Sequence, residues 1–173
     1  MERILFKGYE SKVMTADAAA LLIENNDVVG SSGFTKAGDS KSVLPAFAKR
    51  AENEDVAITL ITGASLGYTT DADLAANNAL NRRMPFMADP ALRKSINDYK
   101  LKYIDQHLSE TIEQLICGHI APVDTAIIEA SLIDENGNIV PTTSIGNSAF
   151  FFCLSKKVII EINTRITLSF HGV

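Results

Sequence analysis

The sequence has few of the residues that build metal sites and disulfide frameworks. It contains two cysteines, Cys117 and Cys153, which form no CxxC pair, and its three histidines are scattered at positions 107, 119 and 171. A structural zinc site needs about four clustered ligands, so we expect no metal. Isolated cysteines are typical of a reducing compartment. We therefore expect two buried free thiols in a cytoplasmic protein.

Long apolar runs and basic clusters are also missing. No apolar stretch approaches the length of about 18 residues that a transmembrane helix needs, and the start of the chain, MERILFKGYESK, lacks the apolar core of a signal peptide. Asp and Glu number 21 against 16 Lys and Arg, which gives a formal net charge of −5. Because phosphate neutralisation needs clustered Lys and Arg, the sequence argues against nucleic acid and membranes as partners.

The length and composition are those of one globular domain. The chain has 173 residues, of which 46% are hydrophobic and 21% are charged, as in ordinary soluble proteins. We therefore treat residues 1–173 as a single domain.

Short apolar runs alternate with helical patterns along the chain. The runs predict strands at 27–33, 56–62, 101–105, 125–130 and 158–162, and the patterns predict helices at 15–23, 42–51, 71–80, 90–99 and 109–117. Thr15, Ser42 and Ser109 are the expected N-caps of three helices, and Asn136-Gly137 predicts a tight hairpin. Strands that are apolar throughout are buried on both faces. The pattern therefore predicts an α/β fold with an open, mainly parallel sheet and helices on both faces.

Ligands of such sheets bind beyond the carboxyl ends of the strands. Four segments rich in glycine or polar residues follow predicted strands, at 30–38, 63–67, 106–109 and 143–148. We expect these segments to share one rim of the sheet. The last predicted strand is followed by 163–173 without a covering helix, so we also expect this chain to be part of a larger protein.

The segment Gly30–Gly38 is the richest in glycine, with the sequence GSSGFTKAG. Glycine lets the backbone approach a ligand closely, and the N-terminus of a following helix offers free N–H groups. The segment is therefore suited to form a wall for an acyl or carboxylate group. It matches neither a P-loop nor GxGxxG. A plain strand-to-helix turn made of small residues explains the same pattern equally well.

Three further positions each allow a chemical and a structural interpretation. Ser65 is placed either to donate a hydrogen bond to a carboxylate or to cap a helix, and no GxSxG motif marks it as a nucleophile. His107 lies where a strand meets a helix and is either an acid or base or a turn residue. Asn147, in Gly146-Asn147-Ser148, either orients an acyl oxygen or ends a turn.

Two glutamates, Glu129 and Glu161, lie within predicted strands. A buried carboxylate is costly unless it is paired, so each is a candidate for a special role, including nucleophilic attack on a thioester. Each is equally consistent with a position at a rim, at a sheet edge or against a missing domain.

Several short motifs follow one another in a specific order. They are Val13-Met14-Thr15-Ala16-Asp17-Ala18-Ala19, Gly33-Phe34-Thr35, Thr62-Gly63-Ala64-Ser65, Arg82-Arg83-Met84-Pro85-Phe86, Leu92-Arg93, His107-Leu108-Ser109, Val140-Pro141-Thr142-Thr143-Ser144-Ile145-Gly146-Asn147-Ser148 and Val158-Ile159-Ile160-Glu161-Ile162-Asn163. Together, over about residues 12–163, they resemble the N-terminal part of the acetyl-CoA hydrolase/transferase family, whose members are class I CoA-transferases acting between acetate and another acyl-CoA.

The resemblance implies two similar α/β halves, of the NagB-RpiA-like type, with the active site between them. In the family a glutamate attacks the acyl-CoA thioester, giving an acyl-glutamyl anhydride and then a glutamyl-CoA thioester, and a carboxylate or water completes transfer or hydrolysis. That glutamate and most CoA contacts belong to the second half, which nothing in this chain matches. The implied partners are coenzyme A as a short-chain acyl-CoA, acetate or a similar carboxylate, and the C-terminal half of the same enzyme. We further expect a homo-oligomer.

The resemblance assigns seven residues of this chain to substrate binding and none to catalysis. They are Gly33, Phe34, Gly38, Ser65, His107, Gly146 and Asn147. The first three would border the acyl pocket, Ser65 would hydrogen-bond a carboxylate, and the last three would line the cleft. The family has Tyr-Pro or a similar pair after the second glycine of the first motif, whereas this chain has Asp39-Ser40, which leaves the shape of that loop open.

Two other functions stay open on the sequence. One is a non-catalytic module that binds a sugar phosphate or a small carboxylate on a related sheet, and the other is a small hydrolase built on Ser65 and His107.

A chain that lacks its partner half should expose an apolar face, which predicts oligomerisation or poor solubility.

Overall fold

The computed structural model describes residues 2–67 and 69–166, so His171 and the rest of 167–173 lie outside the described part. The described residues form a seven-stranded sheet and six α-helices. The strands are β1 (Val28–Ser31), β2 (Ile58–Thr62), β3 (Leu80–Met84), β4 (Lys102–Tyr103), β5 (Thr125–Ile133), β6 (Ile139–Pro141) and β7 (Lys157–Ile162). The helices are α1 (Ala16–Ala20), α2 (Val43–Arg50), α3 (Thr70–Ala76), α4 (Pro90–Asn97), α5 (Leu108–Ile116) and α6 (Ser148–Leu154), preceded by a 3-10 turn at Glu10–Lys12.

The sheet is mainly parallel. Its strand order is β4-β3-β2-β1-β5-β6, and β7 also pairs with β5. Each pairing is parallel except that of β5 with β6, which form the hairpin that Asn136-Gly137 predicts. In the hairpin, the Asp134 carboxylate accepts hydrogen bonds from the amides of Asn136 and Asn138. The predicted open, mainly parallel α/β sheet is confirmed.

The two faces of the sheet carry separate hydrophobic cores, because successive strand residues point to opposite faces. On one face, Val29, Leu60 and Ile127 pack against α1, α2, α3 and α4. On the other face, Ile61 and Ile128 pack against α5 and α6. Helices therefore cover both faces, as predicted. Within residues 2–67 and 69–166, no helix combines the length and the apolar character that crossing a bilayer requires.

The predicted helix at 71–80 extends too far. The structure ends α3 at Ala76 and begins a strand, β3, at Leu80. The sequence of β3, LNRRM, has two arginines in its centre and no apolar alternation, so the pattern conceals a strand. Arg83 is nevertheless fully buried there, because an ion pair described below compensates its charge.

The beginning of α5 differs from the prediction, and α6 was not predicted. The N-cap position of α5 is His107, not Ser109, and its side chain makes no capping hydrogen bond. The helix α6 has the sequence SAFFFCL, which has no polar face, and its N-cap residue, Asn147, forms no side-chain cap. Helical periodicity cannot be recognised in a segment that is apolar nearly throughout.

The prediction of two buried thiols is wrong, because Cys117 and Cys153 are both exposed and free. Cys117 is the C-cap residue of α5. Cys153 lies in α6, whose buried positions are Ser148 and Phe151.

Gly30, in the middle of β1, allows α6 to lie close against the sheet. A Cβ atom at Gly30 would be 2.7 Å from Cγ of Phe151, and Phe151 is itself fully buried. The missing side chain in the strand thus makes room for the aromatic ring of the helix.

We expect Gly30→Ala to destabilise the fold by about 1–3 kcal/mol, because the added methyl group overpacks this contact. Denaturant unfolding measures the change. Since the strain comes from the ring, Phe151→Leu should cost less in the Gly30→Ala background than in the wild-type chain. If Phe151→Leu lowered the free energy of unfolding equally in both backgrounds, this explanation would be contradicted.

Candidate functional site

The sheet has a topological switch between β1 and β5. From β1 the chain passes to α2 on one face, whereas from β5 and β6 it passes to α6 on the opposite face. Chains that leave neighbouring parallel strands in opposite directions open a crevice, and α/β sheets bind ligands there. Three segments border this point: the first loop (residues 32–41, after β1), the second loop (residues 63–67, after β2) and the return segment (residues 142–147, after β6).

The first and second loops are in direct contact. Gly33 has a φ of 116°, and a Cβ atom at Gly63 would collide with the carbonyl oxygen of Gly33. Phe34 and Ala37 exchange two backbone hydrogen bonds of 2.9 and 3.1 Å, which folds the tip of the first loop into a tight turn. The side chain of Phe34 is 51% exposed at this tip, so it is available to a ligand.

Buried polar side chains hold the base of the first loop. Asp39 is fully buried, and its carboxylate accepts a hydrogen bond of 2.9 Å from the amide of Gly67 in the second loop. Ser32 Oγ donates to the carbonyl oxygen of Gly38 at 2.6 Å and accepts from the amide of Glu129 in β5 at 2.9 Å. Asp39 stands where the family resemblance implies a Tyr-Pro pair, and it fixes the base of the first loop to the second loop.

The return segment lies against the first loop and against the start of α5. Gly38 has a φ of 70°, and a Cβ atom there would be 3.1 Å from Thr142 Oγ1 and 3.2 Å from the carbonyl oxygen of Ser144. At its other end, Asn147 Nδ2 donates to the carbonyl oxygen of Leu108 at 3.4 Å. A chain of contacts thus joins all four segments that the sequence analysis placed on one rim.

The remaining predicted site residues are more open. Ser65 is half-buried, and its Oγ accepts a hydrogen bond of 2.6 Å from the amide of Ala88 rather than capping a helix. His107 and Gly146 are exposed, and His107 borders a polar depression of about 610 Å³ that also includes Asp105. No hydrogen bond joins Ser65 to His107 among the described residues, so the structure gives no support to a Ser–His hydrolase.

Glu129 is a buried carboxylate whose oxygens are all engaged. It accepts hydrogen bonds of 2.9 Å from Lys41 Nζ and from Asn163 Nδ2, and a further one from Thr142 Oγ1. These three donors come from the first loop, from the residue after β7 and from the return segment. Glu129 therefore joins three segments that are distant in sequence, which explains a carboxylate within a buried strand.

Glu161 caps α2 from a different element of the fold. Its carboxylate accepts hydrogen bonds from the amides of Lys41, Ser42 and Val43, at 2.9 to 3.1 Å, and from Ser40 Oγ. Ser42 is the N-cap residue by position, as predicted, but its own side chain makes no capping bond. A carboxylate is well placed here because the first-turn amides are unpaired and the helix dipole is positive at this end.

Lys41 neutralises the buried charge around the first loop. Its three ammonium N–H groups meet three acceptors, namely Asp39 Oδ1 at 2.8 Å, the Asp39 carbonyl oxygen at 3.0 Å and Glu129 Oε1 at 2.9 Å. Burial opposes the charge on Lys41, but the hydrogen bonds and charges of Asp39 and Glu129 outweigh it and raise the pKa of Lys41 above its ordinary value of 10.5. Lys41 is therefore protonated at neutral pH.

A second buried ion pair holds the second loop. Arg83 Nε donates to Asp71 Oδ1 at 3.0 Å, and both side chains are buried. Arg83 also donates to the carbonyl oxygen of Ala64 at 3.0 Å, while Asp71 accepts from the amide of Leu66 at 3.0 Å. Since Ala64 and Leu66 flank Ser65, this pair fixes the backbone that presents the serine hydroxyl.

A separate groove of about 1090 Å³ lies between α1 and β7, with largely apolar walls that include Val13, Met14, Val158 and Ile160. It reaches the Lys41–Glu129 contact only at one end and contains none of the predicted site residues. Across the described ranges, no three His, Cys, Asp or Glu side chains are grouped so as to bind a metal ion.

Four residues shape the loops in ways that the sequence does not predict: Asp39, Lys41, Asp71 and Arg83. Asp39 had one available signal, since it replaces the expected Tyr-Pro pattern directly after Gly38. Arg83 had no such signal, because it follows Arg82 in the polar sequence LNRRM, which does not indicate a buried strand. Nothing in the spacing indicates that Asp71 pairs with Arg83 or that Lys41 pairs with Glu129, because each pair joins residues from different elements.

These observations define an α/β domain whose loops after β1, β2 and β6 meet at the switch point of a mainly parallel sheet, where such sheets bind ligands. A family model described as the acetyl-CoA hydrolase/transferase N-terminal domain matches residues 2–173. The chain therefore belongs to the acetyl-CoA hydrolase/transferase family, as the ordered motifs indicated.

Curated relatives are similar along nearly the whole chain. The chain is 43% identical over 166 residues to a succinyl-CoA:acetate CoA-transferase of Clostridium kluyveri, covering 95% of this chain and 31% of the relative. It is 39% identical to a propanoyl-CoA:succinate CoA transferase of Escherichia coli, covering 87% and 32%. It is 37% identical to an acetyl-CoA hydrolase of Schizosaccharomyces pombe, covering 99% and 35%. The chain thus spans about a third of the length of these relatives.

Solved structures share the fold. The structure of RipA from Yersinia pestis superposes with a TM-score of 0.71 at 18% identity, over 90% of this chain and 37% of that chain. An acyl-CoA transferase, YdiF, from Escherichia coli O157:H7 superposes with a TM-score of 0.59 at 10% identity, over 96% and 44%. The α/β CoA-transferase fold is therefore that of this chain.

We expect Arg83→Met to destabilise the chain by about 3–5 kcal/mol, because it leaves the buried Asp71 carboxylate without its cation. Thermal or denaturant unfolding measures the loss. The double variant Asp71→Leu/Arg83→Met should lose clearly less than the sum of the two single variants. Lys94→Met, which breaks only the exposed Lys94–Asp98 pair, is the matched control and should change stability little. A mild effect of Arg83→Met, equal to that of Lys94→Met, would contradict the assignment.

The contribution of Lys41 to stability should depend on pH at the alkaline end. Because the pKa of Lys41 is raised in the folded state, its stabilisation is fully present below about pH 10 and is lost as pH rises through the folded-state pKa. The difference in unfolding free energy between the wild type and Lys41→Met should therefore be constant near neutral pH and should narrow only at alkaline pH, as the pH rises through the raised pKa of Lys41. A gap that widens with increasing pH would contradict the ion pairing.

Proposed function

We propose that this chain forms the acyl- and carboxylate-binding wall of an acetyl-CoA hydrolase or acetate CoA-transferase, which moves CoA between a short-chain acyl-CoA and acetate. The observation that carries the proposal is the match of the N-terminal family model to residues 2–173, together with relatives named as CoA-transferases and acetyl-CoA hydrolases. The nucleophilic glutamate is supplied by a part of the enzyme beyond the third that this chain matches, and coenzyme A enters as the acyl-CoA substrate.

The hydrogen bonds of Glu129 and Glu161 support the proposal that the nucleophilic glutamate comes from another part of the enzyme. Glu129 accepts three side-chain hydrogen bonds and Glu161 caps α2. A carboxylate that attacks a thioester must be free to approach the carbonyl carbon, within about 3–3.5 Å. Neither glutamate can do so without breaking the contacts that hold the first loop, so the nucleophile belongs elsewhere.

The crevice at the switch point supports the role of a binding wall. Phe34 offers an exposed apolar side chain for an acyl group, and Ser65 keeps its hydroxyl hydrogen for a carboxylate while its oxygen accepts from Ala88. Gly33 and Gly38 are buried, and the lack of a side chain lets them pack against Asp39 and the return segment, so on this proposal they shape the border of the acyl pocket from beneath. On this proposal His107, Gly146 and Asn147 line the side of the cleft nearest α5.

The remaining part of the enzyme would cover the apolar surface of α6. Phe150, Phe152 and Leu154 are each between 39% and 45% exposed, which is unusual for three large apolar side chains on one short helix. The length of the relatives, about three times the matched segment, supports a further domain of the same enzyme as the occupant. A homo-oligomer and a cytoplasmic location remain part of the proposal.

A chimera tests the proposal. Replacing the matching 31% of the Clostridium kluyveri relative with this chain should give an enzyme that transfers CoA from succinyl-CoA to acetate, whereas the 173-residue chain alone should show no turnover. After incubation with acyl-CoA and borohydride reduction, mass spectrometry should locate the modified glutamate in the Clostridium part.

Other outcomes would contradict the proposal in distinct ways. Modification of Glu129 would show that this chain carries the nucleophile. Steady thioesterase activity of the chain alone, abolished in Ser65→Ala, would indicate a small hydrolase. Binding of sugar phosphates with no binding of acyl-CoA or carboxylate would indicate a non-catalytic module.

A further inference from the structure

The first loop is held by an ion network that the ordered family motifs do not include. Lys41 Nζ lies between Asp39 Oδ1 at 2.8 Å and Glu129 Oε1 at 2.9 Å. Asp39 and Glu129 are buried, with side-chain exposures of 1% and 3%, and the Lys41 side chain is 34% exposed. Two buried carboxylates thus share one cation at the rim of the crevice.

Each carboxylate of this network also accepts a hydrogen bond from a different segment that borders the first loop. The other oxygen of Asp39 accepts from the amide of Gly67 in the second loop, and the other oxygen of Glu129 accepts from Thr142 Oγ1 in the return segment. The Lys41 ammonium is therefore the shared centre of contacts to both neighbours of the first loop. Its removal would leave two buried anions that must move, protonate or admit water.

We propose that Lys41 is a positioning residue of the acyl-binding wall, which sets the first loop against the second loop and the return segment through Asp39 and Glu129. This inference rests on the proposed function, because it assigns these segments to the acyl and carboxylate site. Lys41 acts through its two anions and need not touch substrate. A shift of the wall by about 1 Å is enough to reduce turnover by about 100-fold.

Amide exchange of the full chain, followed by NMR, tests the structural half of the proposal. In Lys41→Met the amide of Gly67 should exchange at least about tenfold faster relative to the core amide of Ile61 in β2, since its acceptor Asp39 has lost its cation. Lys41→Arg should restore slow exchange because it keeps the charge, and Lys94→Met should leave it unchanged. Equal acceleration of Gly67 and Ile61 would show a merely global loss of stability and would overturn the proposal.

The chimera described above tests the functional half. Lys41→Met should lower kcat/KM for the acyl-CoA by about 10- to 100-fold, with kcat falling more than KM rises, because orientation rather than contact is lost. Lys41→Arg should recover most of the rate. Unchanged kinetics in Lys41→Met, alongside faster exchange at Gly67, would overturn the proposal. An inactive wild-type chimera would refute the proposed function, while the exchange of Gly67 would still decide whether Lys41 holds the loops.

Discussion

The structure depends on how two neighbouring carboxylates are compensated. Glu129 and Glu161 are register partners on the adjacent parallel strands β5 and β7, so two negative charges lie side by side on the same face of the sheet. The fold provides two different positive partners: the ammonium of Lys41 for Glu129, and the N-terminus of α2 for Glu161. Both partners come from one short stretch of chain, residues 40–43. That stretch is therefore fixed to the sheet at two points, and the first loop that precedes it is fixed with it.

This constraint reaches the candidate site through a few buried contacts. Asp39 links the anchored stretch to Gly67, and Ser32 links the other end of the first loop to β5. The Asp71–Arg83 pair holds the second loop on its far side. The crevice at the switch point is thus bordered by loops whose positions are set by charges beneath them. A preorganised wall of this kind loses little entropy when a ligand binds, which is the general advantage of a rigid site.

The sequence predicted the elements that have a local signal. The buried strands β1, β2 and β5, the half-buried strand β7, the hairpin at Asn136-Gly137 and the cap at Thr15 are all visible in short windows, because apolar runs, turn residues and capping side chains act locally. The elements and contacts that the sequence did not predict share a different cause. The strand β3 is polar and depends on the Asp71–Arg83 pair, α6 is apolar on nearly every side, and α2 is capped by a residue 119 positions away from Ser42. When a charge or a helix end on one element is stabilised by a residue on another element, no short stretch of sequence shows a pattern for it. In the loops, the glycine-rich turn after β1 was predictable and Asp39 was marked only by its place after Gly38, whereas Lys41 had no signal, since its contacts exist only after the loops meet.

The central claim is that the crevice at the β1–β5 switch binds the acyl and carboxylate groups. The most direct measurement is an NMR titration of the ¹⁵N-labelled chain with acetyl-CoA and, separately, with acetate. We expect the amide shifts to concentrate at Gly33, Phe34 and Gly38, with smaller changes at Ser65 and Asn147. Shifts confined to the apolar groove between α1 and β7, near Val13 and Ile160, would contradict it, because that groove contains none of the residues assigned to the site.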